Sequence, residues 1–178
     1  MSSIIYEKLV VEMTMENVLE PKDIYRIEVI NDNPKLTSLM KNNIKGILCV
    51  PENVTRQSQH NVLMPQTYDF AKWLKKNKGD ITIDVAESEG VKSLHSQDFW
   101  IPIVILASDV SVQVFLGLVS SYIYDRIKGA LKHDKANIHV QVYYRETAEE
   151  VIKKFSYEGS VEGFEKAAKK FNINTFLG

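Results

Sequence analysis

The sequence predicts an α/β (or α+β) protein in which about four helices cover a mixed sheet of about six strands. The length of 178 residues suits one domain, and 44% of the residues are apolar, which is enough for a folded core. Segments that alternate between apolar and polar residues predict strands, and segments with helical spacing of apolar residues separate them. We therefore expect a single domain over residues 1–178, with a strand–helix–strand half at 1–95 and a second half at 96–178.

The first half begins with strand patterns on both sides of a helix. β-Branched residues predict a strand at residues 4–13, and Tyr25–Val29 alternates strictly. Asn33-Pro34 predicts a helix start, because asparagine caps free amides and proline needs no amide partner at the first helical position. Gly46 is expected to end this helix in a left-handed conformation, before a buried strand at Ile47–Val50. The strands at Tyr25–Val29 and Ile47–Val50 are predicted to pair in parallel through a right-handed crossover.

The middle of the chain is predicted to hold a loop, a helix and a strand. Residues 51–66 are polar and contain two prolines, which indicates a long loop. A helix is expected from Thr67, its cap, to Asn77. Its inward face holds Phe70, Trp73 and Leu74. Ile81–Val85 alternates and predicts a strand.

The second half is predicted to contain a long apolar helix, a β-hairpin and a closing helix. Residues 98–129 carry the apolar run of the long helix. Residues 138–142 and 151–157 alternate on either side of a turn, which is typical of a hairpin. Residues 158–160 are expected to turn into an amphipathic helix. The core face of that helix holds Phe164, Ala167, Ala168 and Phe171.

The long apolar segment raises the question of a membrane anchor. As a helix that rises about 1.5 Å per residue, residues 100–124 would cross a bilayer of about 30 Å. However, Asp109 alone costs roughly 2.5–3.5 kcal/mol near the centre of such a helix, and Gln113 adds to that cost. The favourable insertion free energy of the apolar residues roughly cancels this cost, so the total is about zero. We expect a buried helix in a soluble protein, and a membrane-anchored protein is the alternative.

A narrow polar stripe follows the same segment. Its members recur at spacings of three and four residues: Asp109, Gln113, Gly117, Ser120 and Tyr124. A stripe of this kind on an apolar helix faces either solvent or another protein. It is the surface that we predict for a protein partner or for self-association.

Charge, cysteine content and missing motifs exclude several classes of protein. A net charge of −1 gives no reason to expect nucleic-acid binding, and one cysteine excludes a disulfide framework. The N-terminus lacks the pattern of a secretory signal, so a cytoplasmic location is expected. The eight glycines form no nucleotide-binding loop, and the four histidines show no metal-binding spacing. No cofactor and no metal are therefore predicted.

Two enzymatic alternatives stay open on weaker patterns. Cys49 ends a predicted buried strand, where sites of α/β proteins are built, and His60 or His95 is a candidate base for a hydrolase. A metal-dependent enzyme would instead use His95, Asp98 and Asp84. A buried free cysteine usually behaves as a small apolar residue, which weighs against the first alternative.

Residues 98–171 resemble the effector-associated constant components of bacteria. The features that carry the resemblance are the segment IPIVILASDVSVQVFLGLVSSYIYDRIKG, the strand IHVQVYY, the hairpin end KFSYEG and the helix SVEGFEKAAKK. The resemblance implies a non-enzymatic part encoded beside effectors in prokaryotic conflict or antiviral systems, and it transfers no functional residue. The missing catalytic motifs and the apolar helix with its polar stripe predict a protein-interaction or adaptor module. The resemblance adds a role as an accessory component of bacterial defence or signalling.

Overall fold

The structure is a computed structural model of the chain and describes residues 8–9, 23–42, 44–55, 60–94, 98–128, 136–146 and 151–177. It confirms the predicted mixed α/β class. The helices of this part are Pro34–Lys41 (α1), Glu52–Thr55 (α2), Thr67–Asn77 (α3), Val112–Ile127 (α4) and Val161–Leu177 (α5). The strands are Lys8–Leu9 (β1), Ile24–Ile30 (β2), Ile47–Cys49 (β3), Val62–Leu63 (β4), Ile83–Val85 (β5), Gly90–Val91 (β6), Phe99–Trp100 (β7), Val104–Leu106 (β8), Asn137–Glu146 (β9) and Val151–Ser160 (β10).

One mixed sheet organises the fold. Its strand order is β1-β2-β10-β9-β8-β3-β5, and β7 also pairs with β9, while β4 and β6 form a separate parallel pair. The predicted hairpin is its longest part, since β9 and β10 pair over their full length of ten residues each. The predicted helix from Thr67 to Asn77 is also confirmed as α3, but Thr67 is not its cap. Gln66 holds the cap position, and the buried Thr67 hydroxyl donates to the Met64 carbonyl at 2.8 Å.

The predicted parallel crossover between β2 and β3 is wrong. β10, β9 and β8 lie between these strands, and three antiparallel pairings on this path make β2 and β3 run in opposite directions. β10 offers β2 more backbone hydrogen bonds than β3 could. β2 pairs with β10 over seven residues, whereas β3 is only three residues long. Parallel neighbours occur instead around α4, between β8 and β9, and around α3, between β3 and β5.

The predicted helix over residues 98–129 is wrong in its first half. α4 occupies only Val112–Ile127, and the preceding residues supply β7 and β8. Residues 101–106 are all buried, so the apolar period cannot distinguish this strand from a buried helix. The local signals are Pro102, which lacks an amide hydrogen, and Ser111, whose hydroxyl caps α4 by accepting from the Val114 amide at 3.2 Å.

Residues 100–124 therefore do not form the single helix that a membrane anchor would need. In the part of the chain that the structure describes, no helix is both long enough and apolar enough to span a bilayer.

Three further elements differ from the prediction. Residues 51–66, expected as a loop, contain α2 and β4. β10 continues to Ser160, because residues 158–160 stay paired with β9 instead of forming a turn. Of the strand expected at residues 4–13, the described part is β1, and the rest of it lies outside the described residues.

The two faces of the sheet are covered differently. α3, α4 and α5 cover one face and bury the large core, whose aromatic centre is Phe70, Phe115, Phe155 and Phe164. A smaller core lies on the other face next to α1 and includes Leu36, Val50, Ile103, Ile105 and Ile152. This second core covers only part of its face. We call the remainder, across β2, β10 and β9, the open face.

α3 and α4 are joined at the protein surface by a cluster around Asp69. The Tyr122 hydroxyl donates to Asp69 at 2.5 Å, and the Arg126 guanidinium donates to both carboxylate oxygens at 2.7 and 2.9 Å. Burial alone would raise the pKa of the Asp69 carboxyl, but the hydrogen bonds from Arg126 and Tyr122 lower it below its ordinary value. The ionised carboxylate therefore stabilises the fold.

We expect Asp69→Asn to lower the free energy of unfolding by about 1 kcal/mol at pH 7, a small value because the exposed carboxylate is screened by solvent. Since the pKa of Asp69 in the folded chain lies below the unfolded value of about 3.9, this stabilisation is present above about pH 4 and is lost at lower pH. Urea unfolding at pH 7 and at about pH 2.5 measures it, with the exposed Asp80→Asn as the control. A difference of equal size at both pH values would contradict the assignment.

Candidate functional site

The open face carries polar side chains in rows across three neighbouring strands. Ser156 of β10 pairs with Arg26 of β2 on one side and with Gln141 of β9 on the other. In the next row, Glu158 pairs with His139, and His139 pairs with Trp100 of β7. Because alternate residues of a strand point to the same face, these six side chains share one surface.

A cavity of about 220 Å³ lies over these rows. We call it the row cavity. Among the described residues, its charged lining consists of three cations, Arg26, Lys92 and Lys154, and two carboxylates, Glu52 and Glu158. The Lys92 ammonium lies 3.6 Å from the Glu52 carboxylate, so part of this charge is compensated. Over the described lining the cations outnumber the carboxylates by one, which favours an anionic ligand.

Two side chains of the row cavity have unsatisfied polar atoms. The Nε–H of Arg26 is buried and has no acceptor among the described residues. The Oε1 atom of Gln141 is also buried, and no described residue donates to it. Buried polar groups are nearly always hydrogen-bonded, and an unpaired one costs about 1–3 kcal/mol. The described part of the chain also provides no ion pair for Arg26. These atoms lie on either side of Ser156 and mark the centre of the candidate site.

One end of the row cavity is held rigid around His139. The imidazole stacks on the Trp100 ring, with centroids 3.7 Å apart and planes within 4°. Its Nε2 atom lies 3.1 Å from an Asp98 carboxylate oxygen, and its Nδ1 atom lies 3.5 Å from a Glu158 oxygen. Asp98 also accepts from the Asn137 amide at 3.2 Å. The ring is therefore fixed from three directions.

This geometry supports binding better than proton transfer. A general base needs a free nitrogen directed at the substrate, whereas each nitrogen of His139 faces a carboxylate. The two carboxylates also lie at opposite edges of the ring, so they cannot bind one metal ion together with it. In the described part of the chain, no group of three or more potential ligand residues is arranged for a metal.

Cys49 lies in the large core and not at a cavity. Its side chain has no exposed surface. Burial, with the negative charge of Asp84 as a smaller contribution, raises the pKa of the Cys49 thiol to about 12. Since the thiolate is the nucleophilic form, this environment is typical of a structural cysteine.

We expect the native chain to react with a thiol reagent at least about 100-fold more slowly than the same chain in guanidinium chloride, because Cys49 is inaccessible and protonated. Absorbance of the released thiol at pH 8 measures both rates. Equal rates would show that Cys49 is open to solvent, and the hydrolase alternative would regain support.

The other residues of the enzymatic alternatives are not brought together. Asp98 binds His139, as described above. Asp84 is exposed on β5, and β3 and β8 separate that strand from β9. His95 lies outside the described residues, and His60 is exposed. The structure thus gives the predicted combination of Asp84 and Asp98 no common site.

The predicted interaction stripe is split. Asp109 does not lie on α4 but precedes it, and its carboxylate accepts from the Gly46 amide at 2.9 and 3.3 Å. The other four residues do lie on α4. Gly117 and Tyr124 are exposed, with Tyr124 at 65%, and Gln113 and Ser120 are half-buried. The Asp109 carboxylate therefore stabilises the loop that contains Gly46. The other four residues of the stripe lie on the outer side of α4.

Sequence reasoning missed Arg26, Gln141 and Ser156 as site residues. Their signal is the polar half of the strand alternation, which places them opposite the apolar core residues. That signal is common to solvated strands. It becomes informative only when β2, β10 and β9 are known to be neighbours, as the sheet shows.

A scan against protein-family models finds no match to this chain, and searches among curated proteins and among solved structures find none either. The resemblance of residues 98–171 to effector-associated constant components stays a prediction, as does the bacterial defence role that it implies.

Proposed function

We propose that this chain is a non-enzymatic binding domain that holds a small anionic ligand in the row cavity, with the Arg26 guanidinium as its anchor. The observation that carries the proposal is the half-buried Arg26 side chain, which lines the cavity with a buried Nε–H that finds no acceptor among the residues that the structure describes. The described residues supply no carboxylate partner for it.

Charge and hydrogen bonding explain why an anion suits this position. A partly buried guanidinium without a partner is unfavourable, because it has lost water without gaining a counter-charge. Phosphate and carboxylate groups match its planar donors in a bidentate arrangement. Lys154 lines the same cavity from the neighbouring strand, and Ser156 lies between the strands of Arg26 and Gln141. Arg26, Lys154 and Ser156 therefore all carry donor groups that an anion can use.

The size of the cavity limits the anionic group. A volume of about 220 Å³ holds a phosphate or a short carboxylate but is below the usual range of about 300–1,000 Å³ for larger ligands. Calorimetric titration of the full chain with inorganic phosphate tests the proposal. We expect one site with a dissociation constant below about 1 mM, corresponding to about 4 kcal/mol. No saturable heat at that concentration would contradict it.

A second candidate is the predicted protein interaction through α4. The observation that favours it is the exposure of apolar side chains on one side of this helix, where Val114 is 48% exposed and Tyr124 more so. Gly117 lies between them in sequence and has open space around it. An association surface on α4 would have to extend along the helix from Val114 to Tyr124, about 15 Å at the usual helical rise. Self-association through α4 is compatible with a ligand in the row cavity, since α4 covers the opposite face of the sheet.

We expect Gly117→Arg to abolish any self-association, because it places a charged side chain at the centre of this surface without disturbing the core. Light scattering at several protein concentrations measures the mass of the wild type and the variant. Ser38→Arg, at an exposed position of α1, is the matched control. The α4 proposal fails if the wild type is monomeric at every concentration, or if both variants keep the mass of a larger wild-type assembly.

A further inference from the structure

A second and larger cavity lies next to the row cavity on the open face. This second cavity has a volume of about 570 Å³ and is bounded by the loop after β2 and by α2. Lys154 lines both cavities. Since Lys154 is a diagonal neighbour of Arg26 across the β2–β10 ladder, their Cα atoms are about 7–8 Å apart. A ligand group at Arg26 is therefore within reach of the second cavity.

The chemistry of the lining changes along this path. Apart from the shared Lys154, the described charged groups of the second cavity are two carboxylates, Glu28 and Asp32, and one ammonium group, Lys35. This lining has no excess of positive charge, in contrast to the row cavity. It disfavours a second anion and is compatible with neutral hydroxyl groups.

An unsatisfied acceptor marks the second cavity as well. The Oδ1 atom of Asn53 in α2 is buried and has no donor among the described residues. Its neighbour on the cavity wall, Asn33, is already used, because its side chain caps α1 and donates to the Val54 carbonyl at 3.1 Å. A ligand hydroxyl is a donor of the kind that Asn53 lacks, and small terminal rotations of the amide would direct it to the cavity.

We infer that the ligand is a polyhydroxylated anion, with its acidic group at Arg26 in the row cavity and its hydroxyl groups at Asn53 in the second cavity. The inference rests on the proposed anion-binding function and adds the class of ligand. A sugar phosphate and a sugar acid share this chemistry. Ligands of this size suit the two neighbouring cavities, whose volumes together fall in the usual range of about 300–1,000 Å³.

Calorimetric titration of the full chain with glucose 6-phosphate, gluconate, glucose and inorganic phosphate tests the inference. We expect glucose 6-phosphate or gluconate to bind at least about tenfold more tightly than phosphate, and glucose alone to bind weakly. Whichever of the two anions binds more tightly identifies the acidic group. If neither exceeds phosphate, the inference is overturned while anion binding stands. If none of the anions binds, the proposed function itself fails.

Variants of the second cavity separate its contribution from that of Arg26. Asn53→Leu should remove most of the tenfold advantage of the hydroxylated anion and leave the affinity for phosphate unchanged. Asp32→Gly is the second variant and should have the same effect, because it also removes a polar group of the second cavity. Glycine readily adopts the left-handed backbone of this position, where φ is 61°. Asn61→Leu, which lines neither cavity, is the matched control. Equal weakening of both ligands by Asn53→Leu and Asp32→Gly would overturn the inference.

Discussion

Replacing Arg26 by methionine is expected to weaken phosphate binding by about 10- to 100-fold, which corresponds to the 1.5–3 kcal/mol of a charge-assisted hydrogen bond. Methionine keeps most of the side-chain length but removes the charge and all donors. The same change removes the buried Nε–H, which has no acceptor in the described part of the chain. The free energy of unfolding should therefore stay unchanged or rise, since replacing an unsatisfied polar group by an apolar one is neutral or stabilising.

This combination of results distinguishes a binding defect from a folding defect. Calorimetric titration gives the affinity, and urea unfolding without phosphate gives the stability. Arg145→Met is the matched control, because Arg145 is exposed on β9 and lines neither cavity of the open face. If Arg26→Met bound phosphate like the wild type, or if Arg145→Met weakened binding equally, Arg26 would not be the anchor.

Replacing Gly46 by alanine is expected to lower the free energy of unfolding by about 3 kcal/mol or more. Gly46 has φ of 69°, where an L-residue costs roughly 1–2 kcal/mol. An added Cβ would also overlap the Thr82 carbonyl oxygen, which belongs to the backbone and cannot move without shifting the chain before β5. Relieving such an overlap costs typically 1–3 kcal/mol. For a chain of this size, the melting temperature should fall by about 6–12 °C.

Gly117→Ala is a control that should change the free energy of unfolding in the opposite direction. Gly117 lies inside α4, has no atom within 4 Å of an added Cβ and has no positive φ. Alanine there should raise the free energy of unfolding by about 0.5–1 kcal/mol, because glycine loses more conformational freedom in a helix. Thermal and urea unfolding of both variants test the pair. Destabilisation of similar size at both positions would contradict the described environments.

Elements with strong local signals could be predicted from the sequence. Asn33 does cap α1, with its side chain accepting from the Leu36 amide at 3.1 Å, and the β9–β10 hairpin follows its alternation. The left-handed conformation predicted for Gly46 is confirmed. However, Gly46 precedes β3 instead of ending α1, and its amide donates to the Asp109 carboxylate. That hydrogen bond joins residues 63 positions apart, so no local pattern contains it.

The candidate site could not be predicted because it depends on which strands are neighbours. Arg26, Ser156 and Gln141 come from distant parts of the chain, and only the sheet order places them in one row. Sequence reasoning paired β2 with β3 instead, which would have left Arg26 far from β9 and β10. The position of Cys49 at the end of a strand makes it a candidate nucleophile, but whether a strand end is open or buried depends on the helices that cover it. Here α3 and α4 lie in the same buried core as Cys49.

The central claim is that Arg26 holds an anion, and its Nε–H resonance reports on this atom directly. The measurement is a nitrogen-15 NMR titration of the full chain with sodium phosphate at constant ionic strength, with the Arg26 signal assigned from its absence in Arg26→Met. We predict that this signal shifts in a saturable manner, while the Nε–H signal of Arg145 does not move. An Arg26 signal that stays in place while phosphate shifts other arginine signals would contradict the account.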